Sequence, residues 1–110
     1  MIEINTEIES SSGNVYADLG IPDAEVMLIK AILTTKIAEI IKQKRLTQNE
    51  AANMMGLSQP KLSNLLRGQF RGISEAKMLY CLNKLGRDIE IVVKKAPSKQ
   101  AVGKTSVIFT

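Results

Sequence analysis

The side chains best suited to recognition chemistry crowd into one short run. Between Leu46 and Gly68 the chain reads LTQNEAANMMGLSQPKLSNLLRG. Apart from the carboxylate of Glu50, its polar side chains are amides, hydroxyls and cations, among them Thr47, Gln48, Ser58, Gln59, Lys61, Ser63, Asn64 and Arg67. Such groups donate and accept hydrogen bonds, and none of them is a strong nucleophile or general base at neutral pH. The rest of the chain adds no catalytic parts. There is no histidine, Cys81 is the single cysteine, and neither a phosphate-cradling glycine loop nor a convincing carboxylate pair occurs. A zinc or iron–sulfur site fails on ligand count. The expectation is a chain that is not an enzyme and carries no cofactor.

Positioning these side chains requires two short helices crossing at a fixed angle. Thr47 and Glu50 have the spacing of a capping box, in which the hydroxyl accepts the N–H three residues on and the carboxylate reaches back. Ala52 leaves room where two helices cross closely, and Gly56 suits a sharp turn through left-handed backbone angles. Ser58 caps the next helix. Ala51, Met55, Leu57, Leu62 and Leu65 supply the apolar contacts between the pair, while Lys61, Ser63 and Asn64 share the outward face. Leu66 is expected to turn inward, and Gly68 ends the unit.

This grammar, taken in register, resembles the Cro and phage-repressor class of helix-turn-helix, the XRE family. The resemblance implies a mainly α, compact four- to five-helix lambda-repressor-like domain that places one short helix in the major groove of double-stranded DNA. It also implies roles for individual residues. Gln59 matches a base-reading glutamine, whose amide can pair with N6 and N7 of adenine, and Gln48 matches one that contacts phosphate and braces that helix. Pro60 departs from the usual polar residue and offers only apolar contact. Lys61, Ser63 and Asn64 complete the base-reading set. Thr47, Gln48, Ser58, Arg67, Gln69 and Arg71 are the expected phosphate contacts, which supply affinity without sequence information.

The surrounding chain fits one domain. Its 110 residues are 45% hydrophobic but only 4% aromatic, so aliphatic side chains and five methionines must fill the core. Net charge is +4, unevenly spread: residues 1–25 carry six acids and no base, and residues 26–110 carry all fifteen bases against five acids. A basic body behind an acidic leader suits a polyanionic partner. The spacing predicts an acidic arm over residues 1–20, with Ile2, Ile4 and Ile8 alternating as a short strand could. The DNA-binding domain is expected over 21–86, and a C-terminal strand and basic tail over 87–110.

Four helices are predicted. The first opens at Pro22-Asp23 and runs to about Lys44, with Val26, Ile29, Leu33, Ile37, Ile40 and Ile41 as its core face and Met27, Leu28 and Ile32 on a second. The others span Thr47–Met55, Ser58–Arg67 and Ser74–Leu85. The last carries a stripe at Ile73, Ala76, Leu79, Leu82 and Leu85 and stops at Gly86. Alternation then predicts a strand over Ile89–Val93, and a shorter one over Ser106–Phe109. Lys42, Lys44 and Arg45 are explained by favourable charge at a helix C-terminus. Cys81 is read as a reduced core residue. With no apolar leader and no membrane span, a cytoplasmic setting is expected.

The leader SSGNVYADLGIPDAE and the segment ISEAKMLYCLNKLGRDIEIVV resemble HigA-like antitoxins and their stand-alone relatives. That resemblance implies a homodimer bound at its own promoter and a basic ribonuclease toxin as a second partner. Without a toxin, a stand-alone repressor remains, and so does a protein–protein adaptor reusing the fold. Two dimer surfaces are open: the surplus apolar face of the first helix, and the Ile89–Val93 strand. The strand is preferred, with Ile89, Ile91, Val92 and Val93 pairing with their twofold mates and Leu82 and Leu85 beneath.

Overall fold

The helical spacing of the sequence becomes four α-helices in the computed structural model, which describes residues 23–97 and 102–110. These are α1 (Ala24–Gln43), α2 (Gln48–Met55), α3 (Gln59–Leu66) and α4 (Glu75–Lys84). The expected arm over 1–20 and its Ile2, Ile4 and Ile8 alternation lie outside the described residues.

Local chemistry sets where each helix begins. Thr47, Ser58 and Ser74 are N-caps whose hydroxyl oxygens accept the backbone N–H of Glu50, Lys61 and Lys77. The capping box at Thr47 is complete, since Glu50 Oε1 accepts the Thr47 N–H at 2.8 Å. Helix α1 opens differently: Asp23 stands at its N-cap in left-handed geometry and its side chain makes no cap bond.

All four helices stop in the same way. The N–H of Leu46, Leu57, Gln69 and Arg87 donates back to the carbonyl of Ile41, Ala52, Asn64 and Leu82, five residues earlier in each case. The preceding residue must then take positive φ. Gly56, Gly68 and Gly86 do so at 69°, 85° and 92°, and Arg45 does so at 55°.

Packing joins α1 chiefly to α4, while α2 lies against both α3 and α4, and α1 also reaches α3. Ile37, Ile40, Met55, Leu62, Leu65, Met78, Cys81, Leu82 and Leu85 are among the most deeply buried side chains where these helices meet. Each large aliphatic so placed stabilises the fold by roughly 1.5–3 kcal/mol relative to exposure.

The sequence stripes need correction in two helices. In α1, Val26 and Ile29 are only partly buried, whereas Met27, Leu28 and Ile32 are buried. In α4 the buried line is Met78, Cys81, Leu82 and Leu85; Ala76 is exposed and Leu79 half-buried. A strict i, i+3 stripe rotates steadily around a helix of 3.6 residues per turn, so alternating steps of three and four stay on one face.

The C-terminal segment also departs from expectation. Residues 88–96 follow α4 outside any helix or strand ladder, and Ser106–Phe109 shows only an isolated bridge residue at Phe109. Ile89 and Val107 pack against the core, and Lys36 Nζ sits 5.1 Å from the centre of the Phe109 ring. Among the described residues no helix is long and apolar enough to cross a membrane.

Candidate nucleic-acid interface

Helix α3 turns Leu62 and Leu65 fully inward, with Leu66 half-buried at the margin. One turn of helix spans 3.6 residues, so Gln59, Pro60, Ser63, Asn64 and Arg67 must share the opposite arc, with Lys61 at its flank. Gln59, Pro60, Lys61 and Arg67 are exposed, and Ser63 and Asn64 are half-buried. Pro60 fits because its place in the first helical turn needs no intrahelical N–H bond.

The two glutamines named from sequence meet. Gln59 Nε2 donates to Gln48 Oε1 at 3.2 Å, joining the start of α3 to the start of α2. Each amide keeps further hydrogen-bonding capacity for an outside group. Asn64 is held by its own helix, its Oδ1 accepting from the Arg67 guanidinium. Its Nδ2 and the second lone pair of Oδ1 remain for a base edge.

Thr47 and Ser58 are exposed at the helix starts, and their hydroxyl oxygens are already engaged as caps. The Ser58 hydroxyl hydrogen remains a donor suited to a phosphate oxygen, whereas that of Thr47 is directed to Glu50. Glu50 accepts both the backbone and the side chain of Thr47, which holds its carboxyl below the usual value of 4.5.

Beyond α3 the loop from Gly68 to Gly72 carries Gln69 and Arg71, both exposed. Its middle residue, Phe70, is buried in the core. Lys30 of α1 reinforces that anchor: only 7% exposed, it donates from Nζ to the Phe70 carbonyl at 3.3 Å. Sequence reasoning gave Lys30 no part in the site. A signal was available, because Lys30 lies on the stripe of Met27, Thr34 and Ile37, all of which are buried.

The charge from α3 through the following loop has one sign. No Asp or Glu lies between Glu50 and Glu75, while Lys61, Arg67 and Arg71 all do. A protruding helix of amides and cations, flanked by a basic loop, presents donors to a polyanion and donor–acceptor pairs to base edges. The expected dimer residues lie elsewhere. Ile91, Val92 and Val93 are exposed. Leu82 and Leu85, at 2% and 0% exposure, belong to the core of the chain itself and offer almost no surface to a partner.

Comparison with known proteins agrees with this geometry. A family model described as a helix-turn-helix domain matches residues 15–94. A solved structure named "Putative XRE Family Transcriptional Regulator" is 36% identical, superposes with a TM-score of 0.75, and the match covers 81% of this chain and 100% of that one. Among curated proteins, none matches. With the matched family model spanning both crossed helices and the core beneath them, the chain belongs to the XRE-type helix-turn-helix family.

Proposed function

We propose that this chain is a sequence-specific transcriptional regulator that binds double-stranded operator DNA through α3 and represses its own promoter. The observation that carries this is the exposed arc of α3, with Gln59 linked to Gln48 and no acidic residue between Glu50 and Glu75. Gln59, Pro60, Lys61, Ser63 and Asn64 face the bases in this reading. Thr47, Gln48, Ser58, Arg67, Gln69 and Arg71 hold phosphates. The protein acts in the cytoplasm as a homodimer, joined through residues 89–93, so that two copies of α3 address half-sites about one helical turn apart. It has no catalytic role.

A second partner is supported by charge. Residues 1–25 carry six acids and no base, which suits the basic, RNA-binding surface of a ribonuclease toxin. In this reading the chain is the antitoxin of such a pair. A stand-alone repressor would show the same DNA binding without a toxin, and an adaptor would show neither. A gene for a small basic protein beside this one separates the first two.

The deciding experiment is titration of a labelled duplex from the gene's upstream region against a scrambled duplex, across a salt series. The expected result is tighter binding to the native duplex, with log affinity falling by about 0.9 per phosphate contact per log of salt. Arg71→Ala should weaken binding to every duplex and lower that slope by about one contact. Gln59→Ala should remove roughly 1–3 kcal/mol of discrimination at one base pair. Equal, weak binding to both duplexes overturns the proposal.

A further inference from the structure

After α4, residues 88–96 join no helix and no strand ladder, although residues 89–93 keep the alternation of a strand in sequence. Ile91, Val92 and Val93 are 79%, 77% and 94% exposed. Three consecutive exposed aliphatic side chains on a backbone outside any ladder invite strand pairing. Beside it lies a groove of about 470 Å³ whose apolar walls include Ile29, Leu33, Leu79 and Leu82. Segments 87–92 and 106–110 border the same groove.

The order of charges says what fits. Asp88 and Glu90 come at the start of this segment, and Lys94 and Lys95 at its end. A second copy laid antiparallel brings acids against lysines at both ends. A parallel, in-register copy brings like against like, which is destabilising for directly opposed residues. We infer that residues 88–94 pair antiparallel with the same residues of a second copy of this chain, with Ile91 opposite its own mate.

That register sets Ile89 opposite Val93 and Asp88 opposite Lys94, twice over by symmetry. Directly opposed residues in an antiparallel pair point to the same face. The face holding Ile89, Ile91 and Val93 is then apolar across both copies and can bury toward the groove. Moving the centre to Val92 would set Ile89 against Lys95 and lose this match. The inference rests on the homodimer reading above and specifies its partner strand, polarity and register.

Sedimentation of the full chain over a concentration series tests it, with Asp88→Lys, Lys94→Asp and the double variant. Each single reversal opposes like charges at two symmetric places and should weaken the dimer about tenfold. The double variant should recover to within about twofold of the parent. Ile91→Cys, oxidised, should give a covalent dimer, because each new thiol faces its mate; Val93→Cys should not. The native Cys81 is buried and does not compete. Asp88, Ile91, Val93 and Lys94 are all exposed, so the helical circular dichroism of every variant should match the parent. A parent that stays monomeric overturns the homodimer reading together with this inference. A dimer that ignores both charge reversals, or that fails to recover in the double variant, leaves the homodimer standing and overturns the register.

Discussion

Arg45→Gly should make this domain more stable. Each of the four helices ends through a residue of positive φ, and three of the four are glycines. Arg45 takes the same geometry at φ 55° with a Cβ in place. Left-handed backbone costs a non-glycine residue roughly 1–2 kcal/mol. Glycine returns about 0.4–1 kcal/mol of that through the freer unfolded chain. Arg45 is exposed, so little burial is lost with its side chain. The net gain should be about 0.5–1 kcal/mol, or roughly 3–6 °C in Tm. Gly68→Ala is the reverse experiment. An added Cβ there meets nothing within 4 Å, so its cost comes from the backbone at φ 85° alone and should be about 1 kcal/mol. Urea unfolding followed by circular dichroism reads both, with an unchanged m value showing that the folded and unfolded ensembles are comparable. If Arg45→Gly is neutral or destabilising while Gly68→Ala shows its cost, Arg45 does not bear the strain assigned to it.

Two further outcomes are expected. The capping box at α2 should respond to acid: Glu50 is held below 4.5 by Thr47, so its contribution is present above that pH and is lost as pH falls through the lowered value. Glu50→Gln should flatten this part of the pH–stability profile, and an unchanged profile would detach Glu50 from it. Lys30→Met should loosen the loop that carries Gln69 and Arg71. The Phe70 carbonyl also accepts the Ile73 N–H at 3.3 Å, so the variant leaves it one partner and the loss should be only about 1 kcal/mol. Faster amide hydrogen exchange at Ile73 is the readout, and unchanged exchange would show that Lys30 does not pin the loop.

The starts and stops of the helices were legible because their causes are local. Thr47 reaches Glu50, Ser58 reaches Lys61 and Gly56 turns the chain within a few residues of the bonds they serve. The inward set of α3 was legible for the same reason, since Leu62 and Leu65 repeat at helical spacing. The buried line of α4 was misread because a stripe through Ile73, Ala76 and Leu79 looks as regular as the true one through Met78, Cys81 and Leu82. Only contact with α1 and α2 selects between them.

What the sequence by itself determined is therefore the two crossed helices, their caps, and the polar arc of α3, all set by spacings shorter than about one turn. Tertiary structure decided which face of α1 and α4 is buried. It also placed Lys30 beneath Phe70, forty residues away, and withdrew Leu82 and Leu85 into the core. Period-two alternation over residues 89–93 could announce an extended segment but not its pairing. A strand is completed by another backbone, and spacing along one chain carries no record of where that backbone comes from.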